Sequence, residues 1–281
     1  MNSTSAQQRR KVRIRIRPIA AICLLIVLFW AVVALFAPYL VHYPVGEIVS
    51  YDYFGPMSAE YWLGTDYLGR DIFSRLIVGA RYTIGIAFVG LVFAALIGVV
   101  LGLLAAVFGG LFDTLLSRAI DTFVGIPNLL LALVIVAGGG SSIPVLIGAI
   151  TTIFFPGCYR FTRAMAVNVN ALDFIAAAKA RGEGHFYVMI HEILPNIAGP
   201  IMADLGLRFV HIILLLSGLS FLGLGVQPPY ADWGALVREN MLGISYASPA
   251  VVVPSLALAS LALAINLLID NLPQRIRDQL E

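Results

Sequence analysis

Charged side chains are scarce in this 281-residue sequence: Asp, Glu, Lys and Arg together make up 12% of it, whereas 60% is hydrophobic. A single soluble core cannot hide that much apolar surface, so a soluble globular fold is excluded. A bilayer core about 30 Å thick needs about 20 apolar residues per helical span, and several uncharged stretches of that length recur. The sequence therefore predicts an all-α integral membrane protein of about six transmembrane helices.

Motifs of known catalytic chemistry are also missing. The sequence has no G-x-x-x-x-G-K-[ST] phosphate loop, no H-E-x-x-H pair, and no Ser, His and Asp set in a recognisable context. An enzyme embedded in the membrane would need a cluster of acid, base or metal-binding side chains inside the spans. The histidines are instead scattered: His42, His185, His191 and His211. We therefore predict that the chain is not an enzyme and binds no metal or other cofactor itself.

Cysteine is nearly absent. Cys23 and Cys158 both lie in or beside apolar stretches, toward the side that the topology below makes cytoplasmic. A disulfide is disfavoured in that compartment, and two lone cysteines make a poor metal site. Both are predicted to be core residues.

What is present in abundance is the long apolar run. The predicted spans cover residues 18–40, about 83–108, about 121–137, about 143–158, about 196–225 and about 249–269. The first run is longer than the 7–15 residues of a typical signal-peptide core, which favours a retained helix over a cleaved leader. The chain then divides into a basic N-terminus (1–17), the first helix (18–40), a periplasmic segment (41–82), a five-helix core (83–270) and a tail (271–281).

Lys and Arg are unevenly distributed over that topology. Thirteen of the 18 fall on the side of the N-terminus, four on the opposite side, and one inside a span. Because loops rich in Lys and Arg stay in the cytoplasm, both termini are predicted to be cytoplasmic. The basic start, Arg9 to Arg17, is interpreted as a topology determinant that contacts lipid headgroups, and no nucleic-acid partner is predicted.

The loop between the fourth and fifth spans contains an Ala-rich segment on the basic side. Asp173 suits a helix N-terminus and Gly182 suits its end, so a short surface helix is predicted, with Pro195 fixing the angle of re-entry into the membrane. The small side chains of 176–178 would let a groove of another protein close over the helix. Two interpretations stay open: a docking element, or an ordinary connecting helix at the interface.

The same segment resembles the coupling motif of ATP-binding cassette importer permeases, which runs E-A-A, three residues, G, nine residues, I-x-L-P. The matching positions are Ala177, Ala178, Gly182, Leu194 and Pro195. Ala176 stands where the motif has Glu, and Glu192 stands where Ile is usual. These departures leave the register of the helix unchanged.

Two further stretches, 63–76 and 219–234, are similar to the dipeptide, oligopeptide and nickel branch of that superfamily, and to its second, shorter permease. The resemblance implies a type I importer permease fold in a bacterial inner membrane. It also implies a second permease subunit, two cytoplasmic ATPases that use ATP and Mg, and a periplasmic solute-binding protein. A secondary transporter is the alternative, although no internal repeat is evident. Peptides, nickel, opines and oligosaccharides all remain open as solutes.

The first of these stretches precedes the second span and is predicted to form an outer scaffold. Its turn and charged residues are Gly64, Asp66, Gly69, Arg70 and Asp71. They suit a turn into a short amphipathic helix that meets a binding protein. The alternative is that the charges only satisfy one another within the scaffold.

The fifth span contains the polar residues Asp204, Arg208 and His211, four and three positions apart and so on one helical face. Charges at membrane depth usually face a bundle interior or a wet cavity, which makes this face a candidate pathway lining. Asp204 and Arg208 suit a structural pair near the inner interface equally well. Relatives often carry Glu where Leu216 stands, so a cationic Arg208 also suggests the hypothesis of an anionic solute.

Overall fold

The uncharged run that begins at Pro18 forms one helix ending at Leu40, as the sequence predicts. The computed structural model describes residues 18–271; the predicted basic N-terminus and Arg275 and Arg277 of the tail lie outside the described residues. In chain order the helices are α1 (Pro18–Leu40), α2 (Ile72–Phe108), α3 (Gly110–Val124), α4 (Asn128–Gly139), α5 (Ile143–Asn170), α6 (Asp173–Ala180), α7 (His185–Tyr187), α8 (Leu194–Phe221), α9 (Trp233–Glu239) and α10 (Pro249–Asp270).

Five helical stretches in residues 18–271 are long and apolar enough to cross a membrane. They are α1, α2, α5, the continuous stretch His185–Phe221, and α10. A sixth crossing is obtained if α3 and α4 count as one bent span. The prediction of an all-α protein with about six spans is confirmed at this level.

The third span differs from the prediction. Instead of one helix over about 121–137, α3 ends at Val124 and α4 begins at Asn128, with an 83° bend between them. Pro127 lies at the break; it has no N–H to donate and disfavours helical geometry at Ile126. The span is therefore broken where the proline stands.

The second helix begins at Ile72, well before the predicted start of the span at Thr83. The carboxylate of Asp71 caps it, accepting from the Ser74 N–H at 2.8 Å and from the Ser74 hydroxyl at 2.6 Å. Arg75 and Arg81 lower the local hydropathy, which is why a hydropathy profile starts the span too late. Capping rather than hydrophobicity sets this helix end.

Glycines bring α2 and α5 into close contact. A Cβ on Gly98 would lie 2.5 Å from the Cβ of Cys158, a Cβ on Gly90 would lie 2.5 Å from Ile150 Cγ2, and one on Gly102 would lie 2.9 Å from the Cβ of Thr162. Gly85, on the same helix, would meet nothing within 4 Å. The close approach of the two helices thus depends on three of these glycines.

The loop after α8 returns into the outer end of the bundle. Trp233, fully buried at the start of α9, donates its indole N–H to the Leu76 carbonyl, and its backbone N–H to the Thr83 hydroxyl, both at 3.0 Å. Its ring lies 4.8 Å from that of Trp30 on α1. The extramembrane segments are therefore part of the main core rather than a loose cover.

A second core lies at the opposite end of the bundle. Leu103 and Val107 near the end of α2 pack with Ile175 of α6 and with Val188 and Ile193, which lie in the π-helical turn Val188–Ile193 between α7 and α8. This cluster fixes the position of α6 against the spans.

Candidate coupling and translocation sites

The short surface helix predicted in this loop is α6, which begins at Asp173 and ends at Ala180. Ile175 and Ala178 are fully buried in the inner core cluster, whereas Ala176 and Ala177 are exposed. Burying Ile175 anchors the helix by about 2 kcal/mol. The opposite, exposed face carries the small side chains of Ala176 and Ala177 beside the carboxylate of Asp173.

The ends of α6 are set by its sequence. Gly182 has φ +86°, a conformation that favours glycine, and its N–H donates to the Lys179 carbonyl at 3.0 Å. Arg181 donates its N–H to the carbonyls of Ala177 and Ala178. Gly182 therefore ends the helix, as the sequence predicts.

The remaining motif positions follow at the start of α8. Leu194 is half-buried and Pro195 is exposed, directly after the π-helical turn. Glu192 lies 3.9 Å from Arg181, a long and partly exposed pair that contributes little. The structure places all these positions in one continuous unit from α6 to α8.

The charged residues of the outer scaffold form a buried network. The Asp66 carboxylate accepts from Arg70 Nε at 2.7 Å and from Arg75 Nη1 at 2.6 Å. Asp66 is 0% exposed and both arginines are nearly so. Asp66 and Arg70 therefore fit the interpretation in which the charges satisfy one another within the scaffold.

Glu239 at the end of α9 completes the network and is absent from the sequence-based site. One of its carboxylate oxygens accepts from Arg70 Nη2 and from Arg75 Nη1, both at 2.9 Å. Burial alone would lower the pKa of Arg70. The carboxylates of Asp66 and Glu239 outweigh that effect and raise the pKa, so Arg70 keeps its positive charge. The network thus ties the segment before α2 to the segment after α8.

The other scaffold residues have local roles. Gly64 and Gly69 have φ +74° and +75°, and a Cβ at Gly69 would lie 1.9 Å from the Ser50 carbonyl oxygen. Both positions require glycine. Asp71 caps α2 and makes no ion pair in the network.

Asp232 caps α9 from a fully buried position. Its carboxylate accepts from the N–H groups of Gly234 and Ala235 and from the Ser220 hydroxyl at 2.5 Å. Burial raises the pKa of this carboxyl, while these hydrogen bonds oppose the shift. The cap joins the end of α8 to the start of α9.

The three polar residues of the fifth span separate into a pair and a single residue. Arg208 donates to Asp204 from Nε at 2.5 Å and from Nη2 at 3.1 Å, and its guanidinium lies over Gly157 of α5. The pair carries no net charge, so Arg208 presents no free cation to a solute. His211 makes a different contact, with Nδ1 2.8 Å from the Leu207 carbonyl oxygen, and is exposed.

Leu216 is fully buried in the main core and does not share the open face of α8 with His211. That face is formed by exposed residues three, four and seven positions apart: Leu207, His211, Leu214 and Phe221. Among residues 18–271 no group of three His, Cys, Asp or Glu side chains could hold a metal ion. Cys23 and Cys158 are buried free thiols, as predicted.

Comparison with known protein families gives one match over most of the chain. The model of the family described as "Binding-protein-dependent transport system inner membrane component" matches residues 98–278. That range includes α6, all of α8 and the outer segment with α9.

Curated relatives extend the similarity toward the N-terminus. The dipeptide transport system permease protein DppC of Alkalihalophilus pseudofirmus is 35% identical over 254 residues, covering 90% of this chain and 84% of that protein. The glutathione transport system permease protein GsiD of Pectobacterium atrosepticum is 35% identical over 250 residues, covering 88% and 83%.

Among solved structures, a chain of the inward-facing MetNI methionine ABC transporter matches with a TM-score of 0.58 at 18% identity. The match covers 73% of this chain and 95% of that one. At this identity the likeness concerns the fold, which is that of type I importer permeases.

Proposed function

This chain belongs to the binding-protein-dependent transport system inner membrane components and is a permease subunit of an ATP-binding cassette importer, and on that premise we propose that it forms half of a heterodimeric channel for small peptides. The relatives named for dipeptide and glutathione transport support the solute class. ATP hydrolysis belongs to partner subunits, so the chain is not an enzyme. Membership of this family also favours an ATP-driven importer over the alternative, a secondary transporter.

The partners we propose are a second permease subunit, two cytoplasmic ATPases that use ATP and Mg, and a periplasmic solute-binding protein. The location we propose is a bacterial inner membrane, with α6 in the cytoplasm and the Asp66 network outside. The uneven distribution of Lys and Arg supports this orientation.

The observation that supports coupling between the ATPases and this subunit is the two-sided structure of α6. Its buried side, Ile175 and Ala178, joins the inner core cluster, while its exposed side, Asp173, Ala176 and Ala177, is free to contact a partner. A force applied to the exposed side reaches α2 and α8 through that cluster. We therefore assign ATPase docking to this surface.

Copurification with the ATPase subunits tests the assignment. Ala177→Glu adds a bulky charge to the docking face without entering the core, and we expect loss of most bound ATPase and of uptake. Ala59→Glu makes the same change at an exposed position of the outer segment, and should leave bound ATPase unchanged. Full ATPase binding and full uptake by Ala177→Glu would refute docking at α6.

A further inference from the structure

A cavity of about 410 Å³ opens between α8, α9 and α10, outside the coupling and scaffold sites. None of its lining residues is charged. Most of the wall is apolar, and its main members are Leu214, Phe221, Val237, Leu258 and Ala262.

One polar atom in the wall lacks a partner. The Ser217 hydroxyl oxygen is buried and makes no hydrogen bond within the described residues. A helical serine commonly bonds the carbonyl one turn earlier, as Ser255 on the facing wall does with Val251 at 2.8 Å. A buried hydroxyl without a hydrogen bond is costly, so a polar group that enters the cavity and meets the Ser217 hydroxyl would relieve that cost.

Two glycines shape the cavity. A Cβ on Gly234 would lie 2.4 Å from the Ser217 carbonyl oxygen, so glycine lets α9 lie directly against α8. A Cβ on Gly218 would meet nothing within 4 Å, because it would project into open space. The cavity is thus a built feature of three helices with room for a side chain at Gly218.

The open face of α8 continues below the cavity. His211 lies two turns from Gly218 on the same face and about 15 Å along α8 from its outer end. Among the described residues no partner is found for its Nε2. A polar side chain at membrane depth faces protein or a wet space rather than lipid, so this face of the subunit is expected to contact another protein or water.

We propose that this cavity is a solute subsite, in which an apolar side chain of the transported peptide enters the pocket and Ser217 bonds a polar group of its backbone. The proposal rests on the proposed function and adds a substrate class: peptides with large apolar side chains. His211 lies one turn beyond the pocket as a second contact for the peptide backbone. A passing helix of the second permease subunit is the competing occupant.

Uptake by the assembled importer tests the subsite with a series of dipeptides whose variable residue is Gly, Ala, Leu or Phe. Gly218→Leu fills the pocket, and we expect at least tenfold weaker uptake of the Leu and Phe peptides, with the Gly and Ala peptides within twofold of wild type. Gly148→Leu is the matched control, because a Cβ there also meets nothing within 4 Å and it lies on α5 away from the cavity. Ser217→Ala should raise the KM of the Leu peptide about fivefold.

The outcomes separate this proposal from the proposed function. If the wild-type importer takes up no peptide in the presence of ATP, the proposed function itself fails. If wild type transports but Gly218→Leu reduces all four peptides equally, or none, the subsite is refuted. Loss of the second permease subunit from purified Gly218→Leu, with retention by Gly148→Leu, would also refute it and assign the cavity to the subunit interface.

Discussion

At the residue scale, Arg75 is a buried cation whose charge is balanced by two neighbouring carboxylates. It is 2% exposed, its Nη1 contacts two carboxylates, and its Nε and Nη2 have no hydrogen-bond partner within the described residues. A buried ion network is tolerated only while its charges remain compensated. Asp66 and Glu239 supply that compensation from two distant parts of the chain.

Glu239→Ala should therefore be strongly destabilising. It leaves two buried guanidinium groups with one carboxylate, and we expect the free energy of unfolding in detergent to fall by about 3–5 kcal/mol. Glu47→Ala, at an exposed position, should change it by no more than about 0.5 kcal/mol. Similar losses in the two variants would show that the network does not stabilise the outer end.

The sequence predicts only part of this network. Asp66 and Arg70 are near neighbours and their pairing can be inferred from spacing, but Glu239 arrives from a helix more than 160 residues away. No local pattern identifies such a partner. In the fifth span, spacing correctly places three polar residues on one face, yet cannot tell that Asp204 neutralises Arg208 while His211 remains open.

At the scale of elements, the contact between α2 and α5 depends on the absence of side chains. Gly98→Ala would place a Cβ 2.5 Å from that of Cys158 and 2.8 Å from the Phe155 carbonyl oxygen. Backbone atoms cannot move aside as a flexible side chain does, so the two helices must separate.

We expect Gly98→Ala to lower the free energy of unfolding by about 1–3 kcal/mol. Gly85→Ala on the same helix meets open space and should raise it by up to about 1 kcal/mol, because alanine favours the helix. Chemical denaturation in detergent measures both. A gain in stability for Gly98→Ala would contradict the close packing of α2 on α5.

Helix ends are predictable where hydropathy and capping coincide. The bounds of α1 agree with the predicted span, and α10 ends one residue later than predicted, because proline begins each and the apolar run fills each. The start of α2 is missed because arginines interrupt the run, and the third span is missed because hydropathy continues across the break at Pro127. Hydropathy identifies the segments that are buried in lipid. The points at which a helix starts, bends or ends depend on local backbone geometry.

At the scale of the whole molecule, the proposed topology puts the exposed outer segment and the end of α5 on opposite sides of the membrane. In whole cells, Tyr51→Cys should react with a membrane-impermeant maleimide, and Asn168→Cys should react only after permeabilisation, since both side chains are exposed. The unsubstituted chain is the background control, because Cys23 and Cys158 are buried. Labelling of Asn168→Cys in sealed cells would reverse the orientation.

The uninterrupted α2 has a mechanical consequence. Its 37 residues extend about 55 Å without a proline, from Arg75 in the outer network to Leu103 and Val107 beside α6. Under the coupling proposed at α6, a tilt of the inner end of α2 would pass to its outer end along one continuous helix. In the proposed orientation, this one helix therefore connects the ATPase side of the subunit to the solute side.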